Sequence, residues 1–187
     1  MRKLSVFNFI TLNGYFKGPN DDISWHKGGG EEEKEFAEGG AASSGILLFG
    51  RVTYEMMASY WPTPMALRDS PKVAEGMNKS EKIVISKTLK KADWNNTRII
   101  KDNIVDEIMK LKTSGAKDIT ILGSGSLVTY LAEHNLIDSY QFMLDPVVIA
   151  EGTPIFKGIR KAPELNLVNS QEFKNGVVVL TYESVKK

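Results

Sequence analysis

The chain has 187 residues, which at about 150 residues per domain amounts to roughly one domain, spanning 1–187, able to bury a core without staples. Its 24 Lys plus Arg against 23 Asp plus Glu give a formal charge of +1, without the basic excess of a nucleic-acid binder, so neither DNA nor RNA is an expected partner. With no Cys and only two His, His26 and His134, the sequence excludes a thiolate zinc site, a disulfide framework and a Cys nucleophile, and no metal is expected.

Lys3 to Leu12 is apolar on both alternating faces, Leu4, Val6, Ile10 and Leu12 against Phe7 and Phe9. This pattern predicts a strand inside a sheet that is covered on both sides, rather than a leader, because Asn8 and Asn13 interrupt the run and no small-residue cleavage site follows. No run of about 18 apolar residues occurs anywhere, so no membrane span is expected and the cytoplasm is the default location. Asn13-Gly14 and Gly18-Pro19-Asn20-Asp21 mark a long loop, and Gly28-Gly29-Gly30 leads into a helix over Glu31 to Ala42 whose inner stripe contains Phe36 and Ala37. His26 reads as an exposed loop residue.

Gly45 to Phe49 is a second buried strand, followed at once by a helix with Tyr54, Met57 and Ala58 on one face. Ser70-Pro71 starts a short helix reaching about Asn78. Lys82 to Ser86 and Thr97 to Ile100 are short strands. From Asp102 or Asn103, the spacing of Ile104, Ile108 and Leu111 predicts a helix closed by Ser114-Gly115, and Asp118 to Leu122 reads as the next strand. Leu127, Tyr130 and Leu131 mark a helix ending near Asn135. Ser139 to Ile149 and Leu165 to Phe173 are strands with no clear helix between them, and Asn175-Gly176 joins the second to Val177–Val185 as a hairpin. The count is eight strands in a mixed α/β sheet with helices on both faces.

Two places repeat one design, a buried strand, a glycine turn and a helix start, which presents free N–H groups and partial positive charge to an anion. The first is Gly50-Arg51-Val52-Thr53, the second Gly123-Ser124-Gly125-Ser126. Either turn alone is also what a tight strand-to-helix connection requires; two in one sheet point to a dinucleotide. Neither is a GxGxxG or a Walker A sequence, because Val128 stands at the third glycine position and no Lys follows.

Gly50-Arg51-Val52-Thr53-Tyr54-Glu55 resembles the GRxTxE signature of dihydrofolate reductases, and Ile83 to Thr88 resembles their adenosine-side strand. Leu136-Ile137-Asp138, Asp145-Pro146-Val147-Val148 and Gly152-Thr153-Pro154-Ile155-Phe156 are more similar to the reductase domain of the bifunctional riboflavin-biosynthesis deaminase/reductase and its stand-alone relatives. The resemblance implies a dihydrofolate-reductase-like three-layer α/β/α fold, with a mostly parallel eight-stranded sheet and an antiparallel C-terminal hairpin, that binds NADPH. It further implies that Arg51, Ser86 and Lys87 hold the adenosine 2′-phosphate, that Gly50, Thr53, Gly123, Ser124, Gly125 and Ser126 hold the pyrophosphate, and that Leu12, Asn13 and Gly14 lie beside the nicotinamide. Asn13 stands where relatives commonly carry Asp, and Ser124 where they carry a second Gly.

On the substrate side the resemblance pairs Glu32 with Phe36, one helical turn apart, although Glu31, Glu32, Glu33, Glu35 and Glu38 also read as a solvated face. Trp25, Tyr54, Met57 and Trp61 are candidates to wall a flat heterocycle, and equally to be core. Asn13, Trp25 and Glu32 are thus the candidate catalytic-side residues, with the glycine-rich loop from Asn13 to Gly30 as a lid. The expected activity is NADPH-dependent reduction of a pyrimidine- or pteridine-like substrate, in the manner of 5-amino-6-(5-phosphoribosylamino)uracil reductase. Dihydrofolate reduction and noncatalytic nucleotide binding are the alternatives. A homodimer is expected, with the apolar segment Val177 to Leu180 as a pairing edge.

Overall fold

A computed structural model describes residues 1–43, 45–114 and 117–185. The first half of the chain runs β1 (Leu4–Thr11), β2 (Tyr15–Lys17), α1 (Glu31–Ala42), β3 (Ile46–Gly50), α2 (Arg51–Tyr60), α3 (Pro64–Asp69), α4 (Pro71–Lys79), β4 (Glu81–Ile85) and β5 (Thr97–Ile100). The second half runs α5 (Ile104–Thr113), β6 (Ile119–Leu122), α6 (Gly125–Glu133), β7 (Ser139–Asp145), β8 (Thr153–Pro154), β9 (Leu165–Glu172) and β10 (Val178–Ser184). An eight-stranded sheet has the order β5-β4-β3-β6-β1-β7-β10-β9. All pairs from β5 to β7 are parallel, whereas β10 is antiparallel to both β7 and β9. This is the expected three-layer α/β fold, with the Asn175-Gly176 turn closing the hairpin and Gly176 at φ +85°.

The doubly apolar β1 sits between β6 and β7 because both of its faces are covered. One face sends Leu4 and Val6 into a core with Leu48, Ile83, Ile108, Ile121, Leu127, Leu131 and Tyr140, beneath α5 and α6. The other face carries two clusters, Phe49, Tyr54, Met77, Val84 and Trp94, and Met143, Phe173, Val177 and Val179 with Phe7, Phe9 and Phe36. Each such side chain contributes about 1.5–3 kcal/mol when fully buried. Lys112 ties the layers together, donating to the Leu136 carbonyl at 2.6 Å and to Asp138 at 2.5 Å, while Asp138 also accepts the Leu4 amide at 2.9 Å.

Several details differ from the sequence reading. β7 stops at Asp145, because Pro146 has no N–H to extend the ladder and Val147 turns back to donate to the Asp145 carbonyl. The short α3 and the two-stranded sheet of β2 with β8 were not expected. Val177–Leu180 is no edge: β10 is hydrogen-bonded on both sides, and the open edges are β9 and β5. Ser114 caps α5 by donating to the Lys110 carbonyl, while Gly115 lies outside the described residues. Among the described residues no helix is long and apolar enough to cross a membrane.

Candidate functional site

β3 and β6 are neighbours, but the chain leaves them in opposite directions: β3 continues through α2, α3 and α4 to β4, whereas β6 continues through α6 across β1 to β7. α2 packs on one face of the sheet and α6 on the other. Such a divergence opens a crevice at the carboxyl ends of the two strands, where ligands of open α/β sheets bind.

The two glycine turns meet in this crevice. Ser124 Oγ accepts the Gly50 amide at 2.8 Å and donates to the Leu122 carbonyl at 3.2 Å, which joins the start of α2 to the start of α6. Gly123 has φ +60°, and a Cβ there would meet Thr53 Cγ2 at 3.0 Å, so glycine lets the first turn of α2 close against the second turn. A Cβ on Gly125 would lie 2.7 Å from the Phe16 ring. Ser124 itself is left-handed at φ 60°, a conformation that glycine adopts without strain. Gly50, Arg51, Thr53 and the whole run Gly123 to Ser126 line one continuous cavity.

Gly50 lies opposite Ile85 in the parallel register, so Arg51 and the pair Ser86-Lys87 emerge side by side from β3 and β4. Arg51 bonds Glu55 at 2.8 Å on the surface, and Lys87 lies 3.7 Å from Asp102. Exposed pairs of this kind are worth under about 1 kcal/mol, so either cation exchanges its partner for a phosphate at little cost. Ser86 is buried and its Oγ accepts the Thr88 and Leu89 amides at 3.2 and 3.0 Å, shaping the loop that carries Lys87.

The cavity extends from the crevice under α1, with a volume of about 1670 Å³, more than one drug-sized ligand occupies. Phe9, Phe16, Phe36, Met57 and Trp61 line it. Tyr54 does not; it is core, its hydroxyl accepting the Trp94 amide at 3.1 Å. Glu33, rather than Glu32, is the carboxylate on the inner face of α1. Glu33 is 7% exposed, lines the cavity, and neither of its carboxyl oxygens has a hydrogen-bond partner among the described residues. Glu32 points to the β9–β10 turn, where it accepts the Lys174 amide at 2.8 Å. An unpartnered buried carboxyl inside a cavity is where the N–H donors of a ligand belong.

Leu12, Asn13 and Gly14 form the β1–β2 turn and do not line the cavity. Asn13 accepts from Thr11 Oγ1 and donates to the Ile149 carbonyl, both at 2.8 Å, and Leu12 is exposed. Trp25 also stays off the cavity wall, packing edge-on behind His26 with ring centroids 6.4 Å apart.

His26 is not an exposed loop residue. Its ring stacks on Phe9 at a centroid distance of 3.8 Å and 15° between planes, and Nδ1 lies 3.0 and 3.1 Å from the two carboxylate oxygens of Asp145. Asp145 is buried at the end of β7, next to the end of β1. Nothing in the local sequence shows that residues 26 and 145 meet; the only signal is an Asp directly before the Pro that ends a strand.

The RibD C-terminal domain family model matches residues 2–179. The protein YyaP of Bacillus subtilis (strain 168), itself uncharacterized, is 29% identical over 181 residues, covering 97% of this chain and 94% of its own. A structure from Shewanella sp. PV-4, provisionally assigned to riboflavin biosynthesis, superposes with a TM-score of 0.76 at 19% identity, covering 98% of this chain and 99% of that one. A pyrimidine reductase-like protein of Corynebacterium diphtheriae superposes with a TM-score of 0.67 at 12% identity, covering 100% of this chain and 93% of that one. The Thermotoga maritima diaminohydroxyphosphoribosylaminopyrimidine deaminase/5-amino-6-(5-phosphoribosylamino)uracil reductase gives 0.67 at 13%, covering 98% of this chain and 57% of that longer one. At these identities the structural likeness is one of fold.

Proposed function

The chain belongs to the RibD C-terminal domain family, and from that membership and the site we propose that it is an NADPH-dependent reductase of a planar, polar heterocycle of the pyrimidine or pteridine kind. The observation that carries this reading is the crevice between β3 and β6, in which the N-termini of α2 and α6 are held together through Gly50 and Ser124. First-turn N–H groups of two helices, set beside glycines that admit a close backbone approach, suit a pyrophosphate. Arg51 and Lys87, at the same end of adjoining strands, suit the additional phosphate that separates NADPH from NADH. The residues present therefore fit the cofactor. When bound, NADPH supplies a hydride.

The chain's own groups do the rest. Gly123 to Ser126 and Thr53 orient the phosphates, Phe9, Phe16, Met57 and Trp61 exclude water around flat rings, and Glu33 accepts the ring N–H and amino donors of a heterocycle. A dehydrated site strengthens each of these polar contacts. The test is to titrate the purified protein with NADPH and then to screen aminopyrimidines and pterins for loss of absorbance from the reduced nicotinamide. Binding of NADPH with turnover of a member of that set supports the reading, and failure to bind NADPH at all overturns it.

A further inference from the structure

Among the described residues that line the cavity, His26 is the imidazole, a side chain type suited to proton transfer, and its ring is held in a fixed orientation. Phe9 covers one ring face, and Asp145 fixes Nδ1 with both carboxylate oxygens. Nε2 has no hydrogen-bond partner among the described residues, and the ring lines the cavity beside Gly28. An imidazole anchored through one nitrogen by a buried carboxylate, with the other nitrogen turned to a ligand space, is the arrangement that positions general acids and bases. Asp145 follows Leu144 at the carboxyl end of β7, and its register partner is Thr11 at the carboxyl end of β1, so the dyad sits at the same end of the sheet as the two glycine turns.

We infer that His26 is the catalytic proton donor of the site, with Asp145 as its positioning residue, and that the substrate is therefore one whose reducible bond ends in a heteroatom, an imine or a carbonyl. This inference rests on the reductase reading. The cofactor, when bound, would supply a hydride to the carbon of such a bond, and the C=N or C=O electron pair would move onto nitrogen or oxygen. That atom then takes the proton from Nε2. The imidazole is left neutral, with its Nδ1 proton on the Asp145 side, and regains a proton from water before the next turnover. The other titratable and charged groups that line the cavity are Lys17 and Asp21, which pair with each other, Glu31, Glu33, Lys34, Glu35 and Glu38 on α1, Arg51 on α2 and Tyr130 on α6. None of them touches the His26 ring.

The test combines a spectroscopic and a kinetic measurement. In nitrogen-15 spectra of the imidazoles, with His134→Asn used to assign the two rings, 5-aminouracil should shift the Nε2 resonance of His26 and leave Nδ1 nearly unmoved. Asp145→Asn should change the tautomer balance of the same ring. In turnover, His26→Gln should lower kcat about 10²- to 10⁴-fold, while Asp145→Asn, which keeps the shape of the dyad, should lower kcat about tenfold to a hundredfold. NADPH affinity should stay within twofold in both variants. NADPH binding by the wild-type protein with an Nε2 resonance indifferent to 5-aminouracil overturns this inference alone, as does full turnover by either variant. Absence of NADPH binding in the wild-type protein removes the reductase reading and this inference with it.

Discussion

Ser124 and Gly50, 74 positions apart in sequence, are joined by a 2.8 Å hydrogen bond from the Gly50 amide to the Ser124 hydroxyl. The bond makes one binding crevice of two strand-to-helix turns, and Ser124 sustains it from a left-handed backbone at φ 60°. Ser124→Ala removes the bond and keeps the backbone strain, whereas Ser124→Gly removes both. Ser124→Ala should therefore cost about 1–2 kcal/mol and Ser124→Gly about 1 kcal/mol less than that. Urea denaturation checks the order; a Gly variant no more stable than the Ala variant contradicts it.

Where α4 crosses α1, a Cβ on Gly76 would lie 2.5 Å from the Ala41 carbonyl oxygen and 2.9 Å from the Ala41 Cβ. Gly76→Ala gains about 1 kcal/mol of helix propensity but forces apart two helices whose contact roofs the cavity. Overpacking prevails, and the variant should lose about 1–3 kcal/mol net. A denaturation midpoint equal to or above that of the wild type contradicts this.

Glu33 is a buried carboxyl with no hydrogen-bond partner among the described residues, which the proposed function assigns to a ligand. Glu33→Gln keeps the shape while lessening the burden of an unpartnered carboxyl, so the variant should be more stable by about 1 kcal/mol. Its affinity for the aminopyrimidine or pterin substrate should fall at least about tenfold, with NADPH affinity unchanged. Thermal melting and substrate titration read both sides. Lowered stability with unchanged substrate affinity makes Glu33 a structural residue.

Lys82 is fully buried and donates to the carbonyls of Met77, Asn78 and Ser80 at 2.8, 3.2 and 2.7 Å, with the Trp94 ring 4.5 Å away. Burial pushes its ammonium down to about 8. The folded value lies below that of the unfolded chain, about 10.4, so between these values the unfolded chain holds more protons and stability rises with pH. Between pH 7.5 and 9.5 the stability of the wild type relative to Lys82→Met should increase by about 1–2 kcal/mol. Urea titrations at the two pH values decide this. A relative stability that falls with pH would show the carbonyl bonds of the charged form outweighing desolvation.

The eight strands were legible because a parallel sheet covered on both sides demands runs such as Gly45 to Phe49 and Lys82 to Ser86, and because Asn175-Gly176 has few uses other than a hairpin turn. The glycine turns could be read for the same local reason. β2 and β8 could not, with three and two residues each and no period to recognise. Five glutamates in eight residues carry no helical phase; that phase comes from packing, with Phe36 on Phe7 and Phe173, which turns Glu33 inward and Glu32 toward Lys174. The His26–Asp145 pair depends on β1 and β7 ending side by side, a property of the topology rather than of either segment.

Titration of the wild-type protein and of Arg51→Ala with NADPH and with NADH decides whether the crevice between β3 and β6 holds NADPH. Charge-assisted contacts from Arg51 and Lys87 to the additional phosphate are each worth about 1.5–3 kcal/mol. The wild type should bind NADPH at least about tenfold more tightly than NADH, and Arg51→Ala should lose most of that preference while binding NADH as before. Equal affinity of the wild-type protein for the two nucleotides, or a preference that survives Arg51→Ala intact, would contradict the account.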